Sequence, residues 1–537
     1  SIPLMNIEKI YIDAYKQERT LTGYSCQEGS SALLKAFNEG ALIISYFGHG
    51  SKLGWAAENL LSVPLIQKID NYDNMPFVCA STCEFFQFDS PGLTPAGQQL
   101  LGHKKGGTFS IISTSRLSLT DINRRFQLNY TEYIAEDSLR KDASIGKIFL
   151  SGKQFASPYV RNILLFGDPA VKLNYPNLDI EIDTINGKSA EDFFDTESVI
   201  SKCSIVTLQG RICDNGQLNK MNGYIEYQVF DKPSHYTTLN SEGAGFFDFS
   251  MRDKILTKGK AKVKDGIFKI EFFVPEDIKD VDEDIKIDMY AYDTTVRNVA
   301  GGFIDKIKTS DNETDYVDNE GPTITGYINS HLFRDGDLIA NDSKLYIHLS
   351  DKSGIDCSSR IIGKELTMTI DDNSTPTLLN AYFNPSADDY TSGVIEFALP
   401  ELELGMHTIR IRAYDLCGNF SDYFINFTIT NSVIPKICNI YNKPNPVTEQ
   451  TSICFTHNLS SDKTNITIEI FDSEGKKVEH IDKGEVVCEA NVEKCIKLNY
   501  NDLRNTINKN GVYLYRLTIS TSTGDKSIGT GKFLIIR

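Results

Sequence analysis

Three short runs rich in apolar residues, separated by helical segments, constrain the fold of the first third of this sequence. The runs are Ala41–Phe47, Pro76–Thr82 and Gly107–Thr114, and such runs are typical of strands buried on both faces of a sheet. Helix signals lie at Ser30–Asn38, Leu60–Ile69 and Thr94–Gly102, and a further strand is predicted at Glu8–Ala14. This alternation predicts right-handed crossovers and an α/β parallel sheet with helices on both faces.

The remaining two thirds of the sequence have a different pattern. Strand-like alternation and turn signals such as Asp214–Gly216 and Arg334–Gly336 replace the helical patterns after Asn174. Short strands separated by such turns at intervals of ~8–12 residues predict β-sandwiches. Linker-like segments lie at Asp311–Pro322 and Asn431–Lys436. The predicted domains are an α/β domain over 1–176 and β-sandwich domains over 177–316, 317–432 and 433–537.

The negative charge of the chain argues against nucleic-acid binding. The formal net charge is −17 at pH 7, which opposes binding to a phosphate backbone, so no nucleic-acid partner is expected. No stretch approaches the ~18 consecutive apolar residues that a membrane-spanning helix needs. We expect the activity to lie in the α/β domain.

Cysteine spacing leaves the redox state of the β-rich part open. Three pairs are close enough in sequence to form disulfides: Cys203 with Cys213, Cys438 with Cys454, and Cys488 with Cys495. Such disulfides suit an oxidising compartment, but buried free thiols are an equally good interpretation. The acidic run Glu276–Asp284 is interpreted as a solvated loop, with structural calcium as the alternative, and no other cofactor is expected.

Two reactive side chains come directly after predicted parallel strands. His49 lies between Gly48 and Gly50 after the first run, and Cys83 follows the second run. Functional groups of open α/β sheets collect outside the carboxyl ends of strands, so the imidazole and the thiol would face each other if the two strands are neighbours. His49 would then activate the thiol and later protonate a leaving amine. The Gly50 and Cys83 amides would form an oxyanion hole.

Other residues of the same types are weaker candidates. Cys79 lies inside the predicted strand rather than at its end, and Cys26 lies in a polar loop with no base nearby in sequence. His103 adjoins two lysines and is expected at an exposed helix end. A Gly-His-Gly segment is commonly a simple turn, and a cysteine in a strand is commonly inert core. Spacing alone therefore leaves the assignment open.

The segments around His49 and Cys83 resemble the catalytic region of gingipain-type peptidases. The resemblance rests on Tyr46–Ser51, Met75–Cys83, Gly107–Ile112 and Phe166–Ala170, which keep the family's order and spacing over roughly residues 1–175. These peptidases belong to the caspase-like clan, in which an apolar strand precedes His-Gly and a second apolar strand ends in Cys. The resemblance implies that Cys83 is the nucleophile and His49 the general base of a C25 family cysteine peptidase.

The sequence also departs from the family pattern. Thr82 precedes the nucleophile where the family usually has a small residue such as Ala, and Glu84–Phe86 follow it. The family's specificity pocket and the acidic partner of its histidine lie upstream of the His-Gly motif, where this chain has only 48 residues. We therefore expect the chain to begin within its gene, with the missing part as a separate cleaved chain as one option.

The far end carries a second resemblance. Four segments are similar to the C-terminal sorting domain of type IX secretion cargo: Asn442–Pro446, Ile468–Gly475, Asn510–Arg516 and a final strand to Arg537. The turn residues within them agree with a compact sandwich. Segments such as Asp351–Gly354 and Tyr414–Asn419 resemble immunoglobulin-like domains of bacterial surface proteins, a likeness of fold that says little about function.

Together these features resemble the PorU-type sortases of the type IX secretion system. The resemblance implies a cell-surface enzyme that removes sorting domains from secreted cargo through a Cys83 thioester, with anionic lipopolysaccharide or water as acceptor. It also implies docking onto a PorV-type β-barrel through the C-terminal domain, on the extracellular face of the outer membrane of a Gram-negative bacterium. Two alternatives stay open: a secreted gingipain-like endopeptidase that degrades extracellular proteins, and a surface adhesin with a degenerate peptidase domain.

Overall fold

The computed structural model describes most of the chain. The described residues are 6–20, 23–136, 143–240, 243, 245–279, 282–295, 298–310, 316–331, 333–341, 343–358, 363–371, 376–430, 436–448, 450–458, 463–487, 492–499, 509–520 and 526–536. The chain divides into two compact units, one made of Ser1–Val317 with two short later segments, the other of the remaining residues to Arg537. None of the described helices is long and apolar enough to cross a bilayer.

A four-stranded, mainly parallel sheet lies at the centre of residues 1–176. The strands of this region are β1 (Glu18–Thr20), β2 (Gly23–Ser25), β3 (Ile43–Phe47), β4 (Gly50–Ser51), β5 (Gly54–Trp55), β6 (Leu61–Ser62), β7 (Phe77–Ser81), β8 (Ser110–Thr114) and β9 (Ile163–Phe166). The helices are α1 (Gln27–Glu39), α2 (Val63–Ile66), α3 (Ala96–Leu101), α4 (Thr120–Ala135) and α5 (Ile145–Gly152). The sheet has the order β3-β7-β8-β9, in which only β9 is antiparallel. The predicted parallel arrangement of the first three strands is confirmed.

Helices cover both faces of this sheet, and its second strand is therefore buried on both sides. On β7, Val78 and Ala80 pack with α1, α2 and α3, whereas Phe77 and Cys79 pack with α4 and α5. All residues of β7 are buried. Burial on both faces holds the strand firmly and so positions its carboxyl end, which Cys83 follows.

The predicted strand at Glu8–Ala14 is wrong. Residues 6–11 have no regular secondary structure, and Ile12–Ala14 form a single 3-10 turn. The segment packs through side chains instead: the Tyr11 ring lies edge-on to Phe249, with ring centroids 5.3 Å apart. A short apolar pattern is satisfied equally well by packing against another element, so periodicity alone could not separate the two outcomes.

Residues 177–316 form a β-sandwich around one core. Its elements are β10 (Leu178–Ile185), β11 (Lys188–Ser189), α6 (Ala190–Asp195), β12 (Val199–Ser201), β13 (Ile205–Asp214), β14 (Gln217–Leu218), β15 (Gly223–Phe230), β16 (Ser234–Thr237), β17 (Asp248–Met251), β18 (Ile255–Lys264), β19 (Ile267–Phe273), β20 (Ile285–Asp293) and β21 (Val299–Ser310). Paired strands follow a closed path, β10-β13-β19-β18-β15-β20-β21 and back to β10. Two links of that path, β10 with β21 and β18 with β19, join only two residue pairs each. The candidate disulfide between Cys203 and Cys213 is not formed, because the extended strand β13 separates these residues by about 30 Å.

The strands between Thr323 and Ile429 form a second sandwich. Its strands are β22 (Thr323–Ile328), β23 (Leu338–Ile339), β24 (Lys344–Ser350), β25 (Thr367–Ile370), β26 (Thr377–Leu378), β27 (Phe383–Pro385), β28 (Ser392–Ala398), β29 (Gly405–Tyr414) and β30 (Phe420–Ile429). The sheets β22-β24-β28-β27 and β23-β30-β29-β25-β26 enclose a core that includes Leu345, Ile347, Ile409 and Ile411. Alternate residues of β24 and β29 supply this core, as the strand periodicity predicts.

Residues 433–537 form a third sandwich. Its strands are β31 (Ile437–Lys443), β32 (Gln450–His457), β33 (Lys463–Phe471), β34 (Lys477–Val487), β35 (Lys494–Asn499), β36 (Gly511–Ser520) and β37 (Lys526–Ile535). They form the sheets β31-β32-β35 and β34-β33-β36-β37. Within the motif Asn442–Pro446, the Asn445 side chain accepts a hydrogen bond from the Leu534 N–H (2.9 Å) and donates to Lys532 O (3.3 Å). The motif is thereby tied to the last strand. The four domain boundaries themselves stay a prediction.

Among the described cysteines, Cys454 and Cys495 form a disulfide. These two residues lie directly opposite each other on β32 and β35. Cys438 lies opposite Thr456 rather than Cys454, so the candidate pairing of Cys438 with Cys454 is wrong. The candidate pairing of Cys488 with Cys495 is wrong as well, and Cys488 itself lies outside the described residues. Strand register, which sequence spacing does not give, decides the connectivity.

We expect a non-reduced digest of the protein to yield a peptide pair joined through Cys454 and Cys495. The bond closes a loop with a sequence separation of 41, which corresponds to ~4 kcal/mol of unfolding free energy in the chain-entropy treatment. Cys454→Ser is therefore expected to destabilise the last sandwich markedly, whereas the matched variant Cys438→Ser is expected to change little. A linked Cys438–Cys454 peptide in the mass spectrum would refute this connectivity.

Three aspartates come together in the 317–432 sandwich. One carboxylate oxygen from each of Asp318, Asp351 and Asp415 lies within 4.8 Å of the others. Asp415 is buried, and its Oδ1 accepts hydrogen bonds from the backbone N–H groups two and four residues further on. Burial raises the pKa of Asp415 to about 6, and repulsion from the other two carboxylates adds to the shift. The described residues of the acidic run Glu276–Asp284 form no comparable cluster.

The raised pKa of Asp415 gives its stability contribution a defined sign. Between about pH 4 and about pH 6 the folded state binds more protons than the unfolded state, so the free energy of unfolding falls as the pH rises. We expect Asp415→Asn to remove most of this fall in the free energy of unfolding between about pH 4 and about pH 6. The measurement is the hydrogen-exchange protection of β24 and β28 in calcium-free buffer.

The matched control is Asp335→Asn in the same sandwich. Hydrogen bonds from Asn426 lower the pKa of Asp335, so its charged form stabilises the fold above its unfolded pKa and this contribution is lost as the pH falls. Asp335→Asn is therefore expected to reduce protection at pH 7, opposite to Asp415→Asn. Wild-type protection that stays constant between pH 4 and pH 7 would show that Asp415 titrates normally.

Candidate active site

Parallel pairing in register brings His49 and Cys83 to the same edge of the sheet. β3 pairs with β7 along its whole length, ending with Phe47 opposite Ser81. The Gly48 N–H then donates to Ser81 O at 3.4 Å. His49 and Cys83 each follow the last paired residue by two positions, outside the carboxyl ends of adjacent strands. His49 is exposed and Cys83 partly exposed, so both can meet a substrate.

Cys83 lies on a sharp turn after β7. The next residue, Glu84, has φ +52°, in the left-handed region that non-glycine residues rarely adopt. Its N–H donates to Arg116 O at 3.2 Å, which holds the turn against the segment 115–119 after β8. The Cys83 Sγ lies 3.3 Å from Ser118 O and 3.4 Å from Ser118 N, able to donate to the first and accept from the second. The backbone of that segment therefore flanks the thiol.

The backbone at His49 is held firmly while its ring is exposed. His49 O accepts hydrogen bonds from the Tyr46 hydroxyl (2.6 Å) and from the Ala56 N–H (2.8 Å). The Tyr46 ring stacks on Trp55, with centroids 4.4 Å apart and planes nearly parallel. The imidazole makes no hydrogen bond or ion pair with any side chain in the described part of the chain. The acidic partner implied by the family resemblance is therefore not in contact with His49 there.

Gly50 lies against the residue that precedes the nucleophile. A Cβ at Gly50 would lie 2.2 Å from Thr82 Oγ1 and 3.2 Å from Gly54 O. Thr82 is fully buried, and its hydroxyl has no hydrogen-bond partner among the described residues. Thr82, the departure from the family pattern, thus fills the space beneath the His49 loop. The missing side chain at Gly50 lets that loop approach the nucleophile turn.

The two predicted oxyanion donors are both backbone N–H groups. Since the Ala56 N–H donates to His49 O, the alternation of an antiparallel ladder makes Gly50 and Trp55 a non-hydrogen-bonded pair of β4 and β5. The Gly50 N–H therefore points away from β5. The Cys83 N–H donates to no acceptor within the residues that the structure describes. Both geometries are compatible with the oxyanion role, which stays a prediction.

The rival candidates are buried or lie elsewhere. Cys79 is enclosed within β7, and burial raises the pKa of its thiol to about 12. Cys26 is buried at the start of α1 rather than solvated in a polar loop, and burial raises its pKa as well. His103 follows α3 at the opposite, amino-terminal edge of the sheet, and its Nε2 lies 2.9 Å from Ile69 O. It is partly buried, so the predicted exposed position is wrong.

Three residues near the nucleophile were not singled out from the sequence. Thr114 ends β8, Ser118 follows it, and Asn123 lies in the first turn of α4. The sequence does carry a signal for them, because the run Gly107–Thr114 is predicted as the third parallel strand and the residues after it share the edge that holds His49 and Cys83. Which of them contact the nucleophile turn depends on the path of the chain from β8 to α4.

Two family models match separate parts of the chain. Residues 1–174 match the model of peptidase family C25, and residues 439–529 match the model of the secretion system C-terminal sorting domain. The chain therefore carries a C25 cysteine-peptidase domain at one end and a type IX sorting domain at the other. Both resemblances drawn from the sequence are confirmed, and together the two matches support a PorU-type protein.

The chain is also similar to parts of several solved structures. The chain is similar to dimeric latent PorU from Porphyromonas gingivalis, at 24% identity over 97% of this chain and 47% of that chain, with a TM-score of 0.33. It is also similar to the Arg-specific cysteine proteinase gingipain R, at 16% identity over 52% of this chain and 56% of that chain, with a TM-score of 0.26. The chain spans about half the length of these structures. No curated protein matches it.

A methyl group at Gly50 is expected to push the His49 loop away from the nucleophile turn. Gly50→Ala should reduce peptide-bond cleavage by ~100-fold, since a displacement of about 1 Å at a reacting group has an effect of that size. Thr82→Ala removes the hydroxyl that the new Cβ would meet, so the double variant should recover most of the activity. Cleavage of a proteome-derived peptide library, followed by mass spectrometry, measures both. Equal rates for wild type and Gly50→Ala would mean that the contact does not position His49.

Proposed function

We propose that this protein is a cell-surface cysteine peptidase and transpeptidase, a sortase that cleaves C-terminal sorting domains from type IX secretion cargo. The observation that carries the proposal is the register of β3 and β7, which sets His49 and Cys83 at equivalent positions beyond adjacent strands of a C25 domain. A sorting domain in the same chain links this peptidase to type IX secretion. We assign the α/β domain to the caspase-like clan and the middle sandwiches to the immunoglobulin-like type.

Acylation uses the two side chains in turn. The Cys83 thiol gives its proton to the His49 imidazole, and its sulfur attacks the carbonyl carbon of the scissile peptide. Negative charge develops on the carbonyl oxygen, where the Gly50 and Cys83 N–H groups stabilise it. The imidazolium then protonates the leaving amine, which departs with the sorting domain. A thioester joins Cys83 to the new C-terminus of the cargo.

Deacylation resolves the thioester with one of two acceptors. An amine of anionic lipopolysaccharide, or water, attacks the thioester carbonyl while His49 takes a proton from the acceptor. The Cys83 sulfur leaves and recovers that proton, giving a cargo amide or a cargo carboxylic acid. The exposure of His49 supports an acceptor as large as a lipopolysaccharide, since nothing in the described α/β domain covers the imidazole.

We further propose that the C-terminal sandwich docks onto a PorV-type β-barrel at the extracellular face of the outer membrane. The support is the match of this sandwich to sorting domains, together with its outer surface. Val512 and Leu514 alternate with the buried core residues of β36 and are exposed on the outer face of the sheet. Neighbouring exposed apolar side chains on a strand favour contact with a partner.

Replacing Cys83 with Ala in the full-length protein of its native host is expected to abolish sorting-domain removal. Without the sulfur no thioester forms, so several different cargo proteins should keep their sorting domains in intact-mass measurements of the released and surface-bound fractions. The matched variant Cys79→Ala removes a buried thiol four residues earlier and should process cargo normally, because the pKa of Cys79 is held near 12 by burial.

The same experiment separates the alternatives. Normal cargo processing in Cys83→Ala, with loss of general peptide hydrolysis, would identify a secreted gingipain-like endopeptidase. If Cys83→Ala changes neither cargo processing nor peptide hydrolysis, Cys83 is not catalytic. The protein would then be interpreted as a non-catalytic adhesin. Cargo that retains its sorting domain in Cys79→Ala as well would assign the defect to the fold rather than to the nucleophile.

A further inference from the structure

The peptide group that precedes the nucleophile is anchored from behind by two buried side chains. Thr82 O accepts one hydrogen bond from the Thr114 hydroxyl at 2.7 Å and another from the Asn123 Nδ2 at 3.2 Å. Thr114 is 1% exposed and Asn123 is 5% exposed. This carbonyl therefore has both acceptor positions occupied by donors that water does not readily replace.

The geometry of a trans peptide links this anchoring to the site. In a planar trans peptide the C=O and the following N–H point in opposite directions. Since Thr82 O faces Thr114 and Asn123, the Cys83 N–H faces away from them. It has no acceptor among the described residues. Donors on the carbonyl also polarise the peptide, which makes its N–H a stronger donor.

Asn123 connects this peptide to the segment that flanks the thiol. Its Oδ1 accepts a hydrogen bond from the Ser118 hydroxyl at 2.7 Å. The backbone of Ser118 in turn contacts the Cys83 Sγ at 3.3 and 3.4 Å. One buried amide side chain thus holds both the peptide before Cys83 and the backbone beside its sulfur.

We propose that Thr114 and Asn123 are positioning residues that orient and polarise the Thr82–Cys83 peptide, so that the Cys83 N–H binds the oxyanion. The proposal rests on the proposed function, because it requires Cys83 to be the nucleophile. Neither side chain touches the reacting atoms. They act through a peptide group whose other end does.

Nearly isosteric variants isolate the hydrogen bonds from the packing. Thr114→Val keeps the shape and removes the hydroxyl, whereas Thr114→Ser keeps the hydroxyl and serves as the conservative rescue. Asn123→Asp keeps an acceptor for the Ser118 hydroxyl but replaces the donor to Thr82 O with an oxygen that repels it. Removing one oxyanion donor commonly costs 10²–10³-fold in rate, so weakening one is expected to cost ~10-fold.

The test compares two reactions of the same thiol in the full-length protein. Pulse-chase measurement of sorting-domain removal in the native host should be slowed ~10-fold or more in Thr114→Val and Asn123→Asp, and be close to wild type in Thr114→Ser. Alkylation of Cys83 by iodoacetamide, followed by mass spectrometry across pH, should be unchanged in Thr114→Val and Thr114→Ser, which introduce no charge. Iodoacetamide reacts by displacement at carbon and forms no oxyanion, so it does not use the Cys83 N–H.

Each contrary result has a definite meaning. Wild-type processing in Thr114→Val would overturn the inference while leaving Cys83 as nucleophile. Alkylation slowed in parallel with processing would also overturn it, because the residues would then act on the thiol or on the local fold. If Cys83→Ala still processes cargo, the proposed function is wrong. Because this result comes from the Cys83 variant, it is distinguishable from the results for the Thr114 and Asn123 variants.

Discussion

The in-register pairing of β3 with β7 is the constraint on which the candidate site depends. A slip by one residue would move His49 by about 3.3 Å relative to Cys83 and turn alternate side chains to the opposite face. That slip is opposed by β7 itself, whose side chains alternate between two packed layers of helices. Cys79 and Ala80 could not exchange faces without placing side chains of the wrong size in both layers. Packing on both faces therefore specifies the alignment of two reactive side chains that lie outside it.

Hydrogen bonds position the backbone of the loops at the carboxyl edge of the sheet. The loops that follow β3 and β7 are packed in part by buried Trp55 and Phe85, whose ring centroids lie 5.4 Å apart, but their reactive side chains face solvent and are not held by that packing. The Tyr46 hydroxyl anchors His49 O, and the Thr114 hydroxyl anchors Thr82 O. Each such bond contributes only about 1 kcal/mol to stability. Their larger effect is directional, since the distance between donor and acceptor in such a bond varies by only a few tenths of an ångström.

The β-sandwiches follow a simpler logic. Each has its own core of alternating strand residues, and each shows the pattern of turns and strands expected from its sequence. Such architecture carries many functions, so the fold of the middle sandwiches does not by itself indicate what they do. The last sandwich differs because the motif Asn442–Pro446 is bound to its final strand through Asn445, and because it matches sorting domains. Its identity thus rests on specific residues rather than on its fold.

Sequence patterns alone are sufficient to predict the parallel strands, the position of His49 and Cys83 at strand ends, and the nature of both terminal domains. These follow from local composition and from motifs that keep their order along the chain. The three-dimensional structure is needed to show that Glu8–Ala14 is not a strand, that Cys454 pairs with Cys495, and that Thr114 and Asn123 lie behind the nucleophile. The physical reason is common to all three: each depends on which distant segments become neighbours. Periodicity and spacing report on a segment's own preferences, whereas register and chain path are set by packing across the whole domain.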